Sequence, residues 1–485
     1  MQLNRKEFLA FVAHGAAALG ATALPWARLR AESPGPVMTA LSNYMAAAAG
    51  RTLPPDVVEK TKHHILDTFA AMISGSGLAP GRAALALARA VGGDTTATVA
   101  GSLILCGPLE AALVNGVLAH SDETDDSHGP SQSHPGSAVV PSALAAAEKF
   151  GADGTSFVRA VALGYDIGPR VTMALGGMKF RNESHRSTHS IAGTFGASAA
   201  AGSVARLNAQ QMRWLLDYAA QQASGFAVWE RDTDHIEKGF VFGGMPARNG
   251  VTAALLVSLG WNGVDDVFSG EDNFFEAMSP AGNPATLVDR LGERYEVTRT
   301  DIKKWTVGSP IQAPLDALNN LLRRRPFEAD QVQHIVVRLA GSAGSVVNNR
   351  EIPDICLQHM IAVMLLDKTA SFAAAHDKAR MQDPVVLKHR AKVELVPDEE
   401  LERRMPQRQA IVEVILNDGT RLTEHVEAVR GTPANPMERA EVVSKCRDLT
   451  APVLGMATAD RLIQTVLALE AMRDVKLLRP LLQRS

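Results

Sequence analysis

Along the first three hundred residues, apolar side chains recur at the three- and four-residue spacing of amphipathic helices. The clearest example begins at Pro54-Pro55-Asp56, buries one face through residues such as Phe69, and ends near Gly75. The same spacing predicts helices at residues 109–119, 142–149, 193–206, 209–224 and 249–259. Residues 36–300 are therefore predicted to form the first part of a helical domain.

The pattern changes after residue 300, where β-branched residues and alternation become common. Strands are predicted at residues 334–339 and 391–396, and two more flank the hairpin turn Asn417-Asp418-Gly419. Residues 301–428 thus form a predicted α+β lid domain, and residues 429–485 return to a helical pattern. The predicted fold class is mainly α, with an all-helical domain built from both chain ends and an inserted α+β lid.

Composition limits the protein class. A chain of 485 residues exceeds one ordinary core, and 46% hydrophobic with 21% charged residues is typical of soluble globular proteins. The net charge of -3 and the absence of a basic patch argue against a nucleic-acid partner. The three cysteines, Cys106, Cys356 and Cys446, are too far apart to indicate a disulfide framework or a zinc ribbon.

Residues 1–35 resemble a signal segment. Arg5 and Lys6 precede an apolar run from Phe8 to Leu24, which is similar to a twin-arginine signal with lysine as the second basic residue. This pattern predicts export to the periplasm, and the alternative is an ordinary first helix of a cytoplasmic protein. No other apolar run is long enough to span a bilayer, so no stable membrane association is expected after processing.

The main concentration of chemistry is the acidic stretch His120-Ser-Asp-Glu-Thr-Asp-Asp-Ser-His128, followed by His134-Pro135. Carboxylates among imidazoles serve proton transfer or metal binding, and a solvated capping loop is the third interpretation. A metal is less favoured because the ligands lack helical pairing. For acid/base chemistry, Glu123 and His134 would face a pocket, while Asp125 and Asp126 would cap the next segment.

Two later segments carry further candidates. In residues 181–196, His185 and His189 precede a glycine-rich turn that binds a carboxylate or, alternatively, marks tight helix packing. Lys238 lies in a predicted loop entering a helix with Arg248 and is suited to bind a carboxylate, with a solvated surface lysine as the alternative. Lys303-Lys304 marks the domain change and provides either cleft cations or plain surface charge.

The order of these motifs resembles the MmgE/PrpD family of 2-methylcitrate dehydratases, cis-aconitate decarboxylases and iminodisuccinate epimerases. The likeness runs from about Met38 to the C-terminus and includes Gly-Thr-Phe-Gly-Ala, Lys238 with Gly243, Lys303-Lys304-Trp305, Gln358-His359 and Gly-Thr-Pro-Ala-Asn-Pro. The resemblance implies a homodimer without metal or other cofactor. It also implies proton abstraction beside a carboxylate, followed by loss of water or CO2, or by reprotonation.

By position, the resemblance carries family roles onto Glu123 (an Asp in many members), Ser127 (a Thr), His134, Lys238 and either Lys303 or Lys304. Two positions depart from the family pattern. Ser187 stands at a histidine position, with His185 and His189 two residues to either side, and Gly308-Ser309 replaces a second histidine. His359 stands where the enzymes tend to have tyrosine.

The leading hypothesis is a metal-independent lyase, a dehydratase or decarboxylase, acting on a small di- or tricarboxylate without a cofactor. Glu123 and His134 form the proton-transfer pair, Lys238 also takes part, and His185, His189 or His359 supplies a further acid or base. The substrate-binding candidates are Ser127, Arg248, Lys303, Lys304 and His359. The alternatives are an epimerase or other isomerase, an exported carboxylate-binding protein without chemistry and, more remotely, a zinc hydrolase.

Overall fold

Helices dominate the chain, which the computed structural model describes from residue 33 to residue 484. The mainly α fold class is confirmed. All but the last three residues of the signal-like segment 1–35 lie outside the described residues. The first part contains α1 (Pro36–Ala47), α2 (Pro55–Gly75), α3 (Ala79–Val91), α4 (Pro108–Ala119), α5 (Pro135–Phe150), α6 (Gly154–Leu175), α7 (Met178–Ser184), α8 (Thr188–Val204), α9 (Ala209–Gln222), α10 (Ile236–Ser258) and α11 (Phe274–Met278).

A four-stranded sheet forms after the helical part. The elements are α12 (Ser309–Arg324), β1 (Val332–Leu339), α13 (Gly341–Val347), α14 (Leu357–Asp367), α15 (Phe372–His376), α16 (Pro384–Arg390), β2 (Val393–Pro397), α17 (Glu399–Arg403), β3 (Ala410–Leu416) and β4 (Arg421–Val426). The strand order is β2-β1-β3-β4, with β1 parallel to β2 and the other pairs antiparallel. The chain ends in α18 (Arg439–Leu454), α19 (Met456–Leu467) and α20 (Arg479–Leu482).

Two apolar cores hold these elements. The first joins α2 side chains such as Phe69 to Leu449 of α18 and Leu462 of α19, so both ends of the described chain contribute to it. The second extends from Trp305 to Val429 and includes the inward face of β3, where every second residue is buried. Burial of these apolar faces is the main stabilising term for both units.

Several helices are longer than the hydrophobic pattern predicted. Helix α5 begins at Pro135 rather than residue 142, because proline is favoured in the first turn, where its missing N–H is not needed. Helix α6 was not predicted at all, since it combines internal glycines with Pro169. The predicted loop around Lys238 is also wrong, because α10 runs through it without interruption.

The predicted glycine-rich turn is likewise helical, because α8 begins at Thr188 and contains Gly193 and Gly196. A Cβ on Gly193 would lie 2.9 Å from Cβ of Pro246, and one on Gly196 would lie 2.8 Å from the carbonyl oxygen of Gly164. These glycines therefore permit close packing of α8 against α10 and α6, which is the packing interpretation of that segment.

Helix α10 is the one helix among residues 33–484 that is long and apolar enough to cross a membrane by length and composition. The sequence pattern missed this feature because the helix was predicted to begin only at residue 249. Of the apolar window, 61% is buried inside the protein, where α10 packs against α8 and α4. A buried central helix of a helical domain has the same length and apolar composition, so these two features do not by themselves indicate a membrane span.

Candidate active site

The acidic stretch forms the loop between α4 and α5, as predicted, and its carboxylates are buried. Asp122, Glu123, Asp125 and Asp126 are each no more than 5% exposed. Buried carboxylates require hydrogen-bond or ionic partners, since an unpaired charge in a protein interior is strongly destabilising. The partners of each carboxylate therefore show what the loop is built to hold.

Asp125 accepts hydrogen bonds from two imidazoles at once. Its Oδ2 lies 2.9 Å from Nδ1 of His120, and its Oδ1 lies 3.2 Å from Nδ1 of His134. Burial alone would raise the pKa of Asp125, but the adjacent imidazoles hold it well below the ordinary value. An ionised carboxylate only accepts hydrogen bonds, so both histidines donate Nδ1–H to it. Each imidazole then has its free lone pair on Nε2.

This arrangement gives His134 the properties of a proton acceptor. Burial lowers the pKa of His134 below the ordinary value of 6.5, although Asp125 partly opposes the shift. The imidazole is therefore neutral at pH 7, its tautomer is fixed by Asp125, and 10% of the side chain is exposed. Those are the requirements for a general base.

Asp126 has a structural role at the start of α5. It accepts hydrogen bonds from the Gly136 backbone N–H at 3.0 Å, from the Tyr165 hydroxyl at 2.5 Å, and from Nδ1 of His64 at 2.9 Å. A carboxylate at a helix N-terminus satisfies free N–H groups and complements the helix dipole. Capping was the role the sequence indicated for Asp126, and this contact fixes α5 directly behind His134.

Two lysines converge on Glu123. Lys238 of α10 forms an ion pair with Oε1 of Glu123, and Nζ of Lys303 lies 3.5 Å from Oε2 and 2.8 Å from the Glu123 carbonyl oxygen. Burial would raise the pKa of Glu123, but the two ammonium groups outweigh it and hold the pKa well below the ordinary value. Glu123 is therefore ionised and holds two cations beside the imidazoles.

A π-helical turn, Phe240–Gly244, brings Phe242 of α10 into the same cluster. Its ring stacks on His189 with centroids 3.7 Å apart and on His120 at 4.5 Å. The turn fits because the backbone of Gly243 packs directly on the backbone of Gly116 in α4. Such turns are frequent at functional sites, where they direct side chains that a regular helix would point elsewhere.

We expect Gly243→Ala to destabilise the protein by about 1–3 kcal/mol, because the added methyl group would overlap the carbonyl oxygen of Gly116. Equilibrium denaturation of the purified variant measures the change. Gly50→Ala is the matched control, since a Cβ there has no neighbour within 4 Å. Equal stability of the two variants would contradict the proposed packing constraint.

The lid contacts the acidic loop through His376 of α15. Its Nε2 lies 2.9 Å from Oδ2 of Asp122, and its Nδ1 lies 2.7 Å from the Phe372 carbonyl oxygen. Burial would lower the pKa of His376, but the adjacent carboxylate of Asp122 raises it to about 9. The pair therefore joins a protonated lid histidine to the residue that precedes Glu123.

Because the pKa of His376 is raised from 6.5 to about 9, the pair should stabilise the protein fully below pH 6.5 and lose its effect as the pH rises through 9. We expect His376→Gln to lower stability by about 2–4 kcal/mol at pH 6 and by much less at pH 10. Chemical denaturation at both pH values measures this difference. A loss that does not change with pH would refute the ionic contact, and exposed His425→Gln is the control.

The other predicted site residues lie in different places. Of these, His189 belongs to the imidazole cluster, and the Ser127 backbone pairs with Asp301 beside it. His185 and Arg248 are exposed, and Lys304 lies 3.9 Å from Asp316 and stacks on Trp305. His359 is fully buried in the lid, where burial lowers its pKa to about 4. The contacts found among residues 33–484 do not bring these last four residues to the cluster.

Two contributors were missed or underrated. His376 gave no sequence signal, because its contact with Asp122 depends on how the lid packs. Asp125 was placed among the capping residues, although it orients both His120 and His134. The sequence gives no signal that distinguishes Asp125 from its neighbour Asp126.

Two overlapping groups of side chains have metal-ligand geometry. One ligand atom from each of His120, Asp125 and His134, or from each of His120, Glu123 and His235, lies within 4.8 Å of the others. In the first group Asp125 is already hydrogen-bonded to both imidazoles. In the second group the Nε2 atoms of His120 and His235 are buried without a hydrogen-bond partner.

A cavity of about 830 Å³ lies between the two units. Its walls are residues 231–234, which precede α10, and lid residues that include 349–352 and Arg390. Asp232 in this wall accepts a hydrogen bond from the Lys238 backbone N–H at 2.9 Å. The cavity therefore lies next to the helix start that carries Lys238, rather than being lined by the imidazole cluster itself.

The protein combines a helical domain with an inserted α+β unit, and its acidic loop brings imidazoles and lysines together. This combination of fold and site indicates the same class of protein as the sequence motifs. Residues 39–286 match the MmgE/PrpD N-terminal domain and residues 305–471 match the MmgE/PrpD C-terminal domain. The chain belongs to the MmgE/PrpD family, which confirms the resemblance found in the motifs.

Curated relatives extend over nearly the whole chain. A cis-aconitate decarboxylase-like protein of Aspergillus oryzae is 26% identical over 480 residues, covering 91% of this chain and 96% of the relative. The cis-aconitate decarboxylase of Homo sapiens is 26% identical, covering 88% of this chain and 90% of its own length. The mouse cis-aconitate decarboxylase is 25% identical, with 88% and 89% covered.

Proposed function

We propose that the protein is a metal-independent lyase that acts on a small di- or tricarboxylate, and that decarboxylation is its reaction. The observation that carries the proposal is that Asp125 fixes the tautomer of His134 beside two lysines, Lys238 and Lys303. The similarity to cis-aconitate decarboxylases supports decarboxylation over dehydration.

The lysines provide the electrostatic part of the mechanism. When a carboxylate leaves as CO2, its bonding electrons pass into the remaining carbon skeleton and onto a second carboxylate. Ammonium groups stabilise that charge if they are already in place and water is excluded. Lys238 and Lys303 are held by the ionised Glu123, and Lys303 is only 3% exposed. We assign them to the substrate carboxylates.

His134 provides the proton. The carbanion formed by loss of CO2 takes one proton at carbon, and the product leaves with one carboxylate fewer than the substrate. His134 delivers this proton from Nε2 after accepting it from solvent, and Asp125 stabilises the imidazolium meanwhile. In a dehydration the same residue would instead remove a proton beside a carboxylate. The low pKa of Glu123 favours an electrostatic role over a basic one.

A product-resolved screen of di- and tricarboxylic acids, including cis-aconitate, tests the proposal. Purified protein treated with a chelator should release CO2 and give a product one carboxylate shorter. Release of water without CO2 would replace decarboxylation by dehydration. Deuterium entering recovered substrate without either loss would indicate an epimerase, and thermal stabilisation without any conversion would indicate a binding protein.

A further inference from the structure

His120, Glu123 and His235 place one possible ligand atom each within 4.8 Å of one another. All three side chains are buried: His120 is 0% exposed, Glu123 5% and His235 8%. Nε2 of His120 and Nε2 of His235 have no hydrogen-bond partner. Buried polar atoms are nearly always paired, so two unpaired nitrogens beside one carboxylate indicate a ligand.

The outer contacts of His120 fit metal binding. His120 donates Nδ1–H to Asp125 at 2.9 Å, which leaves the lone pair on Nε2. Metal-binding histidines almost always use their second ring nitrogen in this way, because the carboxylate fixes the ring and makes it more basic. His120 directly follows α4, Glu123 lies in the acidic loop, and His235 directly precedes α10. They therefore share no helical spacing that the sequence could have revealed.

We propose that His120, Glu123 and His235 bind a divalent transition-metal ion of the Zn²⁺ type, and that this ion competes with Lys238 for the Glu123 carboxylate. Two imidazoles and one carboxylate, with a fourth position for water, suit Zn²⁺ or Co²⁺ better than the oxygen-preferring Mg²⁺ or Ca²⁺. The ammonium of Lys238 is paired with Oε1 of Glu123, and the Lys238 side chain is 16% exposed, so it can move towards solvent when a metal ion enters.

Competition makes the metal an inhibitor rather than a cofactor. An ion on Glu123 would displace Lys238 from its position beside the imidazoles and bring a second positive charge close to Lys303. Only this consequence rests on the proposed lyase function. Metal binding itself can be measured without a substrate.

Titration of chelator-treated protein with Co²⁺ tests the site, because tetrahedral Co²⁺ has visible absorption bands. We expect one ion per chain and displacement by Zn²⁺. His235→Asn should abolish the bands, and Asp125→Asn should weaken binding about 10–100-fold through the ring orientation of His120. Lys238→Met should strengthen binding about tenfold or more, since the competing charge is gone. Exposed His425→Ala is the control and should bind like wild type.

No saturable binding of Co²⁺ to the wild type would overturn the site, as would binding that His235→Asn leaves unchanged. Unaltered affinity in Lys238→Met would overturn the competition. Thermal unfolding verifies that each variant is folded. If His235→Asn does not fold, the Co²⁺ titration of Lys238→Met still tests the site. Loss of turnover on chelation would contradict inhibition, whereas Co²⁺ binding without any turnover would count against the lyase alone.

Discussion

Replacement of His134 by alanine should lower kcat/KM about 10²–10⁴-fold, the usual contribution of one general acid or base. The reason is geometric, because Asp125 fixes the tautomer of His134 and the only free lone pair of the ring is on Nε2. Steady-state assay with the substrate identified by the carboxylate screen measures the loss. The fold should survive, since the side chain is at the rim of the cluster with 10% exposed.

The matched control is His425→Ala, a histidine on strand β4 of the lid that should leave kcat/KM unchanged. Turnover that stays intact in His134→Ala would remove the residue from the mechanism. The pH profile gives an independent check. Because His134 delivers its proton as the imidazolium and burial lowers its pKa, activity should decline as the pH rises through a value below 6.5.

Asp125→Asn should be nearly as damaging, by about a thousandfold in kcat/KM, although Asp125 has no assigned contact with substrate. An amide offers one acceptor and one donor, so it can accept Nδ1–H from only one of His120 and His134. The other imidazole must move its proton to Nε2 and loses its free lone pair there. The loss should appear in kcat more than in KM.

A positioning role has a second signature. Removal of the Asp125 charge should lower the pKa of His134 further, since that carboxylate opposes the effect of burial. The decline of the residual activity with rising pH should therefore begin at lower pH. An unchanged profile with lower stability would mean that Asp125 serves the fold alone, and denaturation measurements distinguish these results.

The sequence was sufficient for the fold class and for the acidic loop as an interhelical connection. Both follow from local pattern, since apolar spacing predicts helices and the acids stand out against an alanine-rich background. The lengths of the helices were less predictable. Gly243 lowers helix propensity, and here tertiary packing keeps it inside a helix, whereas Pro135 is accommodated as the first residue of α5.

The site itself depends on long-range contacts that local pattern does not contain. His376 reaches Asp122 across the two units, and Lys445 of α18 donates to the Thr124 carbonyl oxygen at 2.9 Å. Arg248 is a predicted site residue that packing leaves outside the site. Several of its neighbours in α10 are buried, but its own side chain is exposed. Residue type and motif order indicated the chemistry, but only packing determines which side chains meet.

The most direct test of the account is the reaction in D2O with the substrate identified by the screen. The proposed mechanism predicts that the wild type places one solvent deuteron on carbon for each CO2 released. The same measurement on His134→Ala should show both processes reduced together. Release of CO2 at the wild-type rate by His134→Ala, with deuterium still entering the product, would contradict the central role of that residue.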